Sequence, residues 1–187
     1  LVPERIVIAA AGNCVHQRMV DGFGSRFEKL AGRAAPCRPA PAPQCRTVFR
    51  YRRLEQVHVC LGIAGVSHAH PGRYALAAAN AILGGSMSSR LFQEIRENRG
   101  LAYSVYSFTA SFCDTGVLAV YAGVPLPALT ETLAIVRAEL LRLRDEPVAD
   151  EELRSAREQL KGTLLLGLES TDSRMSRLAT CELHYRE

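Results

Sequence analysis

The sequence predicts an α+β fold, in which a mixed, largely antiparallel sheet has helices packed on one face. The strand-like segments occur in neighbouring pairs, the helical segments are grouped, and the predicted order is ββααββααα. Strands alternating singly with helices would instead indicate a doubly wound parallel sheet. The 187 residues are enough for one domain, or for one domain with part of another.

The N-terminal part of the chain predicts a strand, a helix and a linker. Residues 5–11 form a short apolar run typical of a buried strand. Residues 16–30 predict a helix, because large apolar residues recur on one of its faces. Residues 32–46 hold four prolines and few large apolar residues, which predicts an extended linker and a domain boundary. The apolar helical face consists of Met19, Val20, Phe23 and Phe27.

The block after the linker, residues 47–187, begins with two predicted strands, 47–52 and 56–64. A helix should follow over residues 71–83, because proline is tolerated in a first helical turn. A loop of glycine and serine leads to a second helix over residues 89–99. Gly100 is expected to end this helix in the left-handed conformation.

A predicted hairpin over residues 103–112 and 117–124 comes next, joined by turn residues. Helices are predicted over residues 127–144, from residue 150 and from residue 173. The sequence then stops on a helix, with no final strand. We therefore expect residues 5–11 to pair within this sheet or with a neighbouring molecule, since an open apolar edge recruits strands.

Composition excludes several classes of protein. Net charge is +4 with interspersed charges, so neither a dense basic patch nor nucleic-acid binding is expected. No apolar run approaches the roughly 20 residues of a membrane span, and no export signal is recognisable. Six cysteines without C-x-x-C spacing favour free thiols in a cytoplasmic protein, with a periplasmic location left open. Cys60 and Cys113 are expected in the core, whereas pairing of Cys37 with Cys45 stays open.

The most informative segment runs from residue 83 to residue 106, LGGSMSSRLFQEIRENRGLAYSVY. It resembles the second-domain signature of the insulinase, pitrilysin and mitochondrial-processing-peptidase family of zinc metallopeptidases. The resemblance implies two similar domains that enclose a chamber. It also implies that residues 1–31 are the last strand and helix of the first domain. Residues 47–187 would then be the second domain, truncated before its last strand.

The zinc site of that family lies in the first domain, in an inverted H-x-x-E-H motif that this sequence does not contain. His68 and His70 are the only close histidine pair, and they lack a nearby carboxylate. The resemblance therefore implies zinc in the full-length protein, while we expect no metal ligand in this chain.

The resemblance assigns Arg96 and Tyr103 to substrate binding. A guanidinium and a phenol hydroxyl both donate hydrogen bonds, which suits a peptide carbonyl. In the family, an arginine and a tyrosine at this spacing hold substrate carbonyls opposite the zinc. On residue types alone, a surface ion pair of Arg96 with Glu94 or Glu97, and a plain strand tyrosine, would be the simpler interpretation.

The loop containing Gly84, Gly85, Ser86 and Ser88 is a second candidate. It lacks the lysine and the preceding strand of a phosphate-binding loop, so nucleotide binding is rejected. It resembles the glycine-rich substrate loop of the non-catalytic processing-peptidase subunit. A tight connection that requires small residues explains it equally well.

The sequence thus predicts part of a zinc endopeptidase that acts on peptides and is inactive as this chain alone. Expected partners are a peptide, the missing first domain and, as a further option, a homologous subunit or a second copy. The alternative is a non-catalytic scaffold or partner subunit of the same family. An unrelated α+β binding module is the third hypothesis, which an unfamiliar sheet order would favour.

Overall fold

The computed structural model describes residues 6–27 and 39–185. The chain divides into two compact units. One comprises Leu1–Ala40 and Gly162–Glu187, and the other comprises Pro41–Lys161. Each unit is described by itself below.

The larger unit is built on a three-stranded antiparallel sheet. Its strands are β1 (Val57–Ala64), β2 (Ser104–Ser111) and β3 (Gly116–Val124), in the order β1-β3-β2. β3 is central and pairs along its length with both neighbours. Consequently its Leu118, Val120, Ala122 and Val124 are buried. The predicted α+β class with a largely antiparallel sheet is confirmed.

One face of the sheet is covered by helical segments. These are α2 (Arg73–Leu83), a π-helix (Phe92–Asn98) and α3 (Leu129–Asp145), which begins after a 3-10 turn at Leu126–Ala128. Alternation puts every second residue of a strand on one face. The resulting core joins the buried strand residues to fully buried side chains of the helical layer, notably Leu83, Leu91, Ile95 and Val136.

Three further α-helices remain, two that follow α3 in the chain and one that precedes the sheet. α4 spans Asp150–Gly167, with three acidic residues in its first turn, where the helix dipole favours them. Ala156 of α4 packs with Ala81 and Ile82 of α2. In the smaller unit lie α1 (His16–Phe27) and α5 (Thr171–His184). The side chain of Ser170 caps α5 by accepting a hydrogen bond of 3.4 Å from the Ser173 N–H.

Two predicted strands are wrong. Residues 47–52 have no regular structure, and Phe49 and Tyr51 are more than 80% exposed, at 83% and 81%. β1 instead pairs with β3, so this segment has no backbone partner among the described strands. Residues 6–11 also form no strand, which contradicts the predicted pairing within the sheet, and residue 5 lies outside the described residues. Pairing of this segment with a neighbouring molecule stays a prediction.

Two further expectations need correction or limits. The thiols of Cys60 and Cys113 are exposed, because Cys60 lies on the open face of an edge strand and Cys113 lies in the hairpin turn. Cys37 is outside the described residues, so its pairing with Cys45 stays a prediction. In the two described ranges, no helix combines the length and the apolar character that crossing a bilayer requires.

Candidate functional site

The turn between the π-helix and β2 brings Arg96 and Tyr103 together. Gly100 has φ of 61°, the left-handed conformation predicted from the sequence. The N–H groups of Gly100 and Leu101 donate to the carbonyls of Arg96 and Ile95, at 3.2 and 2.8 Å. Because these bonds satisfy the last helical carbonyls, the chain reverses tightly and β2 starts beside the helix that carries Arg96.

Arg96 lies between two aromatic rings. Its Cζ atom is 4.8 Å from the ring centroid of Phe92 and 5.4 Å from that of Tyr103. Both distances fall within the range of cation–π attraction. The Arg96 side chain is 40% exposed and Tyr103 is 77% exposed. The guanidinium is therefore oriented by the rings while its N–H groups remain accessible.

The surface ion pair that the sequence suggested for Arg96 is formed by Arg99. Two guanidinium nitrogens of Arg99 lie 2.7 and 2.8 Å from one oxygen of Glu94, and a third lies 2.9 Å from Glu131 of α3. The hydrogen bonds from Arg99 and Asn98 lower the pKa of the Glu94 carboxyl. Arg96 Nε is 3.9 Å from the nearer oxygen of Glu97, too far for a hydrogen bond.

Arg90, just before the π-helix, makes an ion pair that the sequence analysis missed. Its Nε and Nη2 donate to the two oxygens of Glu152 in α4, at 2.7 and 2.6 Å. Its Nη1 lies 3.7 Å from Glu139 of α3, and only 12% of the Arg90 side chain is exposed. The bidentate bond raises the pKa of Arg90 and lowers that of Glu152. Arg90 therefore fastens the start of the π-helix to two other helices.

No local pattern could have identified this pair, because 62 residues separate Arg90 from Glu152. The available signal was general: an arginine inside an otherwise apolar and small-residue segment is rarely buried without a partner. The acidic first turn of α4 offered several candidate partners.

The glycine loop is shaped by its neighbour β2. A Cβ added at Gly84 would lie 2.5 Å from the Ser107 nitrogen, so only glycine fits there. The carbonyl of Gly84 accepts a 3.0 Å hydrogen bond from that same N–H, and Ser107 Oγ donates to the Asn80 carbonyl at 3.1 Å. These contacts explain the glycine as a close-packed connection. They leave the predicted substrate role of Gly84 and Gly85 as a proposal.

The contacts of Ser86 and Ser88 involve neither Arg96 nor the two rings that flank it. Their hydroxyl oxygens are 3.1 Å apart, and both residues line a cavity of about 370 Å³ between α2 and α4. Glu151, Ser155 and Gln159 line its other side. The loop is therefore polar and accessible. It faces α4 across the cavity and does not contribute to the Arg96 stack.

Histidine, cysteine and acidic side chains are the candidate metal ligands among the residues that the structure describes. No three histidine, cysteine or acidic side chains converge within them. His70 Nδ1 accepts a hydrogen bond of 3.0 Å from the Gly72 N–H, which gives this histidine a local structural role. The described side chains therefore offer no set of ligands that fits a zinc ion, and we assign no catalytic step to a metal held by them.

Comparison with known sequences identifies the family of this chain. Residues 1–160 match the family model described as the peptidase M16 inactive domain. An uncharacterized zinc protease of Streptomyces coelicolor is 41% identical over 194 residues, which cover 99% of this chain and 42% of the relative. An uncharacterized zinc protease of Bacillus subtilis is 41% identical over 184 residues, or 97% and 44% of the two chains.

Comparison with solved structures supports the same fold. A protease from Helicobacter pylori superposes with a TM-score of 0.76 at 22% identity, over 94% of this chain and 44% of that one. The chain thus spans less than half the length of the curated relatives that it matches. From the family match and the identity to its bacterial relatives, the chain belongs to the peptidase M16 family of zinc proteases and contains the inactive domain of that family.

Proposed function

We propose that this chain is the substrate-holding part of a zinc-dependent endopeptidase, with Arg96 and Tyr103 binding a carbonyl oxygen of the peptide. The observation that carries the proposal is the exposed stack of the Arg96 guanidinium between Phe92 and Tyr103. A preorganised donor stabilises developing negative charge better than a mobile one, because it needs no reorganisation during the reaction.

The two donors would act by electrostatics and positioning. The guanidinium presents several N–H donors in a fixed plane, and the phenol adds an O–H donor. Together they hold a peptide carbonyl and reduce the freedom of the reacting bond. The zinc and the general base would come from the remainder of the full-length protein, so we expect this chain alone to be inactive.

The smaller unit supports a companion proposal for the missing domain. The apolar face of α1 is partly exposed, with Met19, Val20, Phe23 and Phe27 between 37% and 47% accessible. We propose that residues 1–31 belong to the preceding, zinc-binding domain and that more of that domain covers this face. Burial of such side chains stabilises association by about 25 cal/mol per Å² of apolar surface.

The test uses the full-length protein and a quenched fluorescent peptide. Arg96→Met should lower kcat/KM by about 100-fold, and Tyr103→Phe by about tenfold, the loss expected from one hydrogen bond. Zinc content should not change, because neither Arg96 nor Tyr103 is a predicted zinc ligand.

A matched control exists in α2, where Arg73 Cζ lies 4.5 Å from the ring of Tyr74. Tyr74→Phe removes the hydroxyl that accepts a 3.0 Å hydrogen bond from Arg73, and Arg73→Met removes the guanidinium. Both residues lie outside the candidate site, so each variant should leave kcat/KM within about twofold of the native value. Unchanged activity in both Arg96 and Tyr103 variants would reject the carbonyl-binding role. A full-length protein that binds no zinc and cleaves no peptide would favour the scaffold alternative.

A further inference from the structure

Phe92 and Tyr103, the two rings that flank the guanidinium of Arg96, are held in different ways. Phe92 lies four residues before Arg96 on the π-helix and is half-buried. Leu91 and Ile95 of the same helical segment are fully buried, so the core fixes the backbone that carries the Phe92 ring. Tyr103 lies outside the helix and is 77% exposed. Packing therefore holds Phe92 in place and leaves most of Tyr103 in contact with solvent.

Polar contacts with the protein do little to orient the Arg96 guanidinium. Within the described ranges, no group accepts a hydrogen bond from it, and Glu97 approaches its Nε atom only to 3.9 Å. Arg99 differs, because its Nε donates to Glu94 at 2.8 Å. An arginine side chain has many rotamers in water. The ring contacts therefore decide which rotamer Arg96 adopts, and the ring of Phe92 is the better fixed of the two.

The Phe92 contact and the Tyr103 contact depend on different parts of the fold. Val105 in β2 is buried under the helical layer. Because side chains alternate along an extended chain, Tyr103, two residues earlier, lies on the side of the sheet that carries the π-helix. Its ring meets Arg96 only through the turn at Gly100, whereas Phe92 and Arg96 belong to one helix. The Phe92 contact is therefore formed within a single, well-packed element.

We propose that Phe92 is a positioning residue, which holds the Arg96 guanidinium in its donating orientation before the peptide binds. The inference rests on the proposed carbonyl-binding role of Arg96. It adds a third residue, whose effect on catalysis passes entirely through Arg96. A donor that is already oriented needs no reorganisation during the reaction. Loss of the Phe92 ring should therefore weaken transition-state stabilisation, and it should have no further effect once Arg96 is gone.

The experiment is a double-mutant cycle in the full-length protein with a quenched fluorescent peptide. Phe92→Leu removes the ring and keeps an apolar side chain. We expect it to lower kcat/KM by about fivefold, the effect of one exposed cation–π contact. The loss should fall on kcat, because an interaction made in the transition state affects kcat and kcat/KM equally. In the Arg96→Met background, Phe92→Leu should leave kcat/KM unchanged.

Rescue and a matched control separate positioning from general damage to the fold. Phe92→Tyr keeps a ring and should retain kcat/KM within about twofold of the native value. Phe112→Leu makes the same change at an exposed ring beyond the other end of β2, about 30 Å along the strand from Tyr103, and should have no effect. Urea unfolding checks that each variant is folded. Phe92→Met is the second variant, for use if Phe92→Leu unfolds.

The possible failures of the two proposals give different results. An unchanged kcat/KM in Arg96→Met would reject the carbonyl-binding role, and the role of Phe92 with it. A loss in Arg96→Met, together with a Phe92→Leu loss that is equally large with and without Arg96, would overturn the positioning role alone. The positioning role is also overturned if Phe92→Leu and Phe92→Tyr lower kcat/KM to the same extent.

Discussion

Two arginines of one helical segment, Arg90 and Arg96, occupy opposite kinds of environment. Arg90 is 12% exposed and holds both oxygens of Glu152. Arg96 is 40% exposed and lies between aromatic rings, and its Nε atom is 3.9 Å from a carboxylate oxygen of Glu97. A guanidinium committed to a bidentate pair cannot turn to a ligand without losing that pair.

The difference between Arg90 and Arg96 shows how a helix can be fixed in place by one arginine and still present another to solvent. Arg90 and the buried Ile95 fix the position of the π-helix, while Arg96 points into an accessible stack. A π-helical segment is rare and frequently occurs at functional sites. We therefore expect substitutions of Arg90 to affect stability first, and substitutions of Arg96 to affect activity first.

The largest expected effect on stability comes from Arg90→Met. The change leaves the carboxylate of Glu152 without its bidentate partner, and it leaves Glu139 with Arg142 alone, at 3.7 Å. Because Glu152 is 32% exposed, we expect a loss of about 2 kcal/mol, below the cost for a fully buried pair. Thermal and urea unfolding of the full-length protein, followed by circular dichroism, would measure the loss. Arg144→Met is the control, because its pair with Asp145 is well exposed and should contribute little. Equal losses in the two variants would contradict the distinction between buried and exposed arginines.

A smaller loss is expected from Gly100→Ala. An alanine in the left-handed conformation costs about 1 kcal/mol, while open space at the Cβ position means that no collision adds to it. Gly162→Ala in α4 is the control, since a helical glycine with open space around it should become more stable on the same change. If Gly100→Ala were neutral in urea unfolding, the turn would not depend on this conformation. Gly100→Asn should recover part of the loss.

The smallest effect is a pH dependence that separates the two arginines. The hydrogen bonds from Arg90 lower the pKa of Glu152 below its ordinary value of 4.5, against the opposing effect of partial burial. A lowered folded-state pKa means that the stabilisation is present above the unfolded pKa and is lost as pH falls through the folded value. Urea unfolding between about pH 6 and pH 3 should therefore show a decline attributable to Glu152. Arg90→Met should reduce that decline, and Arg96→Met should not.

Sequence periodicity identified elements that are stabilised by their own residues and near neighbours. The hairpin of β2 and β3, α3 and α4 follow from alternation, turn residues and capping, which are local properties. Gly100 was correctly expected to end its helix, because only its backbone freedom suits that turn. The strand at residues 47–52 was predicted by the same reasoning and is wrong, since a strand also needs a partner with free backbone groups.

The candidate site was likewise predictable from the sequence only in part. The spacing of Arg96, Gly100 and Tyr103 is visible in the sequence and implies their convergence, because a tight turn joins the helix to the strand. Neither the insertion of the guanidinium between two rings nor the commitment of Glu94 to Arg99 could be inferred, since several carboxylates were equally close in sequence.

By itself, the sequence determined the class of fold and the family signature, and it suggested the two residues that we propose to bind a peptide carbonyl. Only the tertiary structure decided which charges are used internally and which remain accessible. It also placed His58 and Tyr121 together across the sheet, 63 residues apart. Local patterns report the backbone's own preferences, whereas pairing between distant side chains depends on how the elements pack.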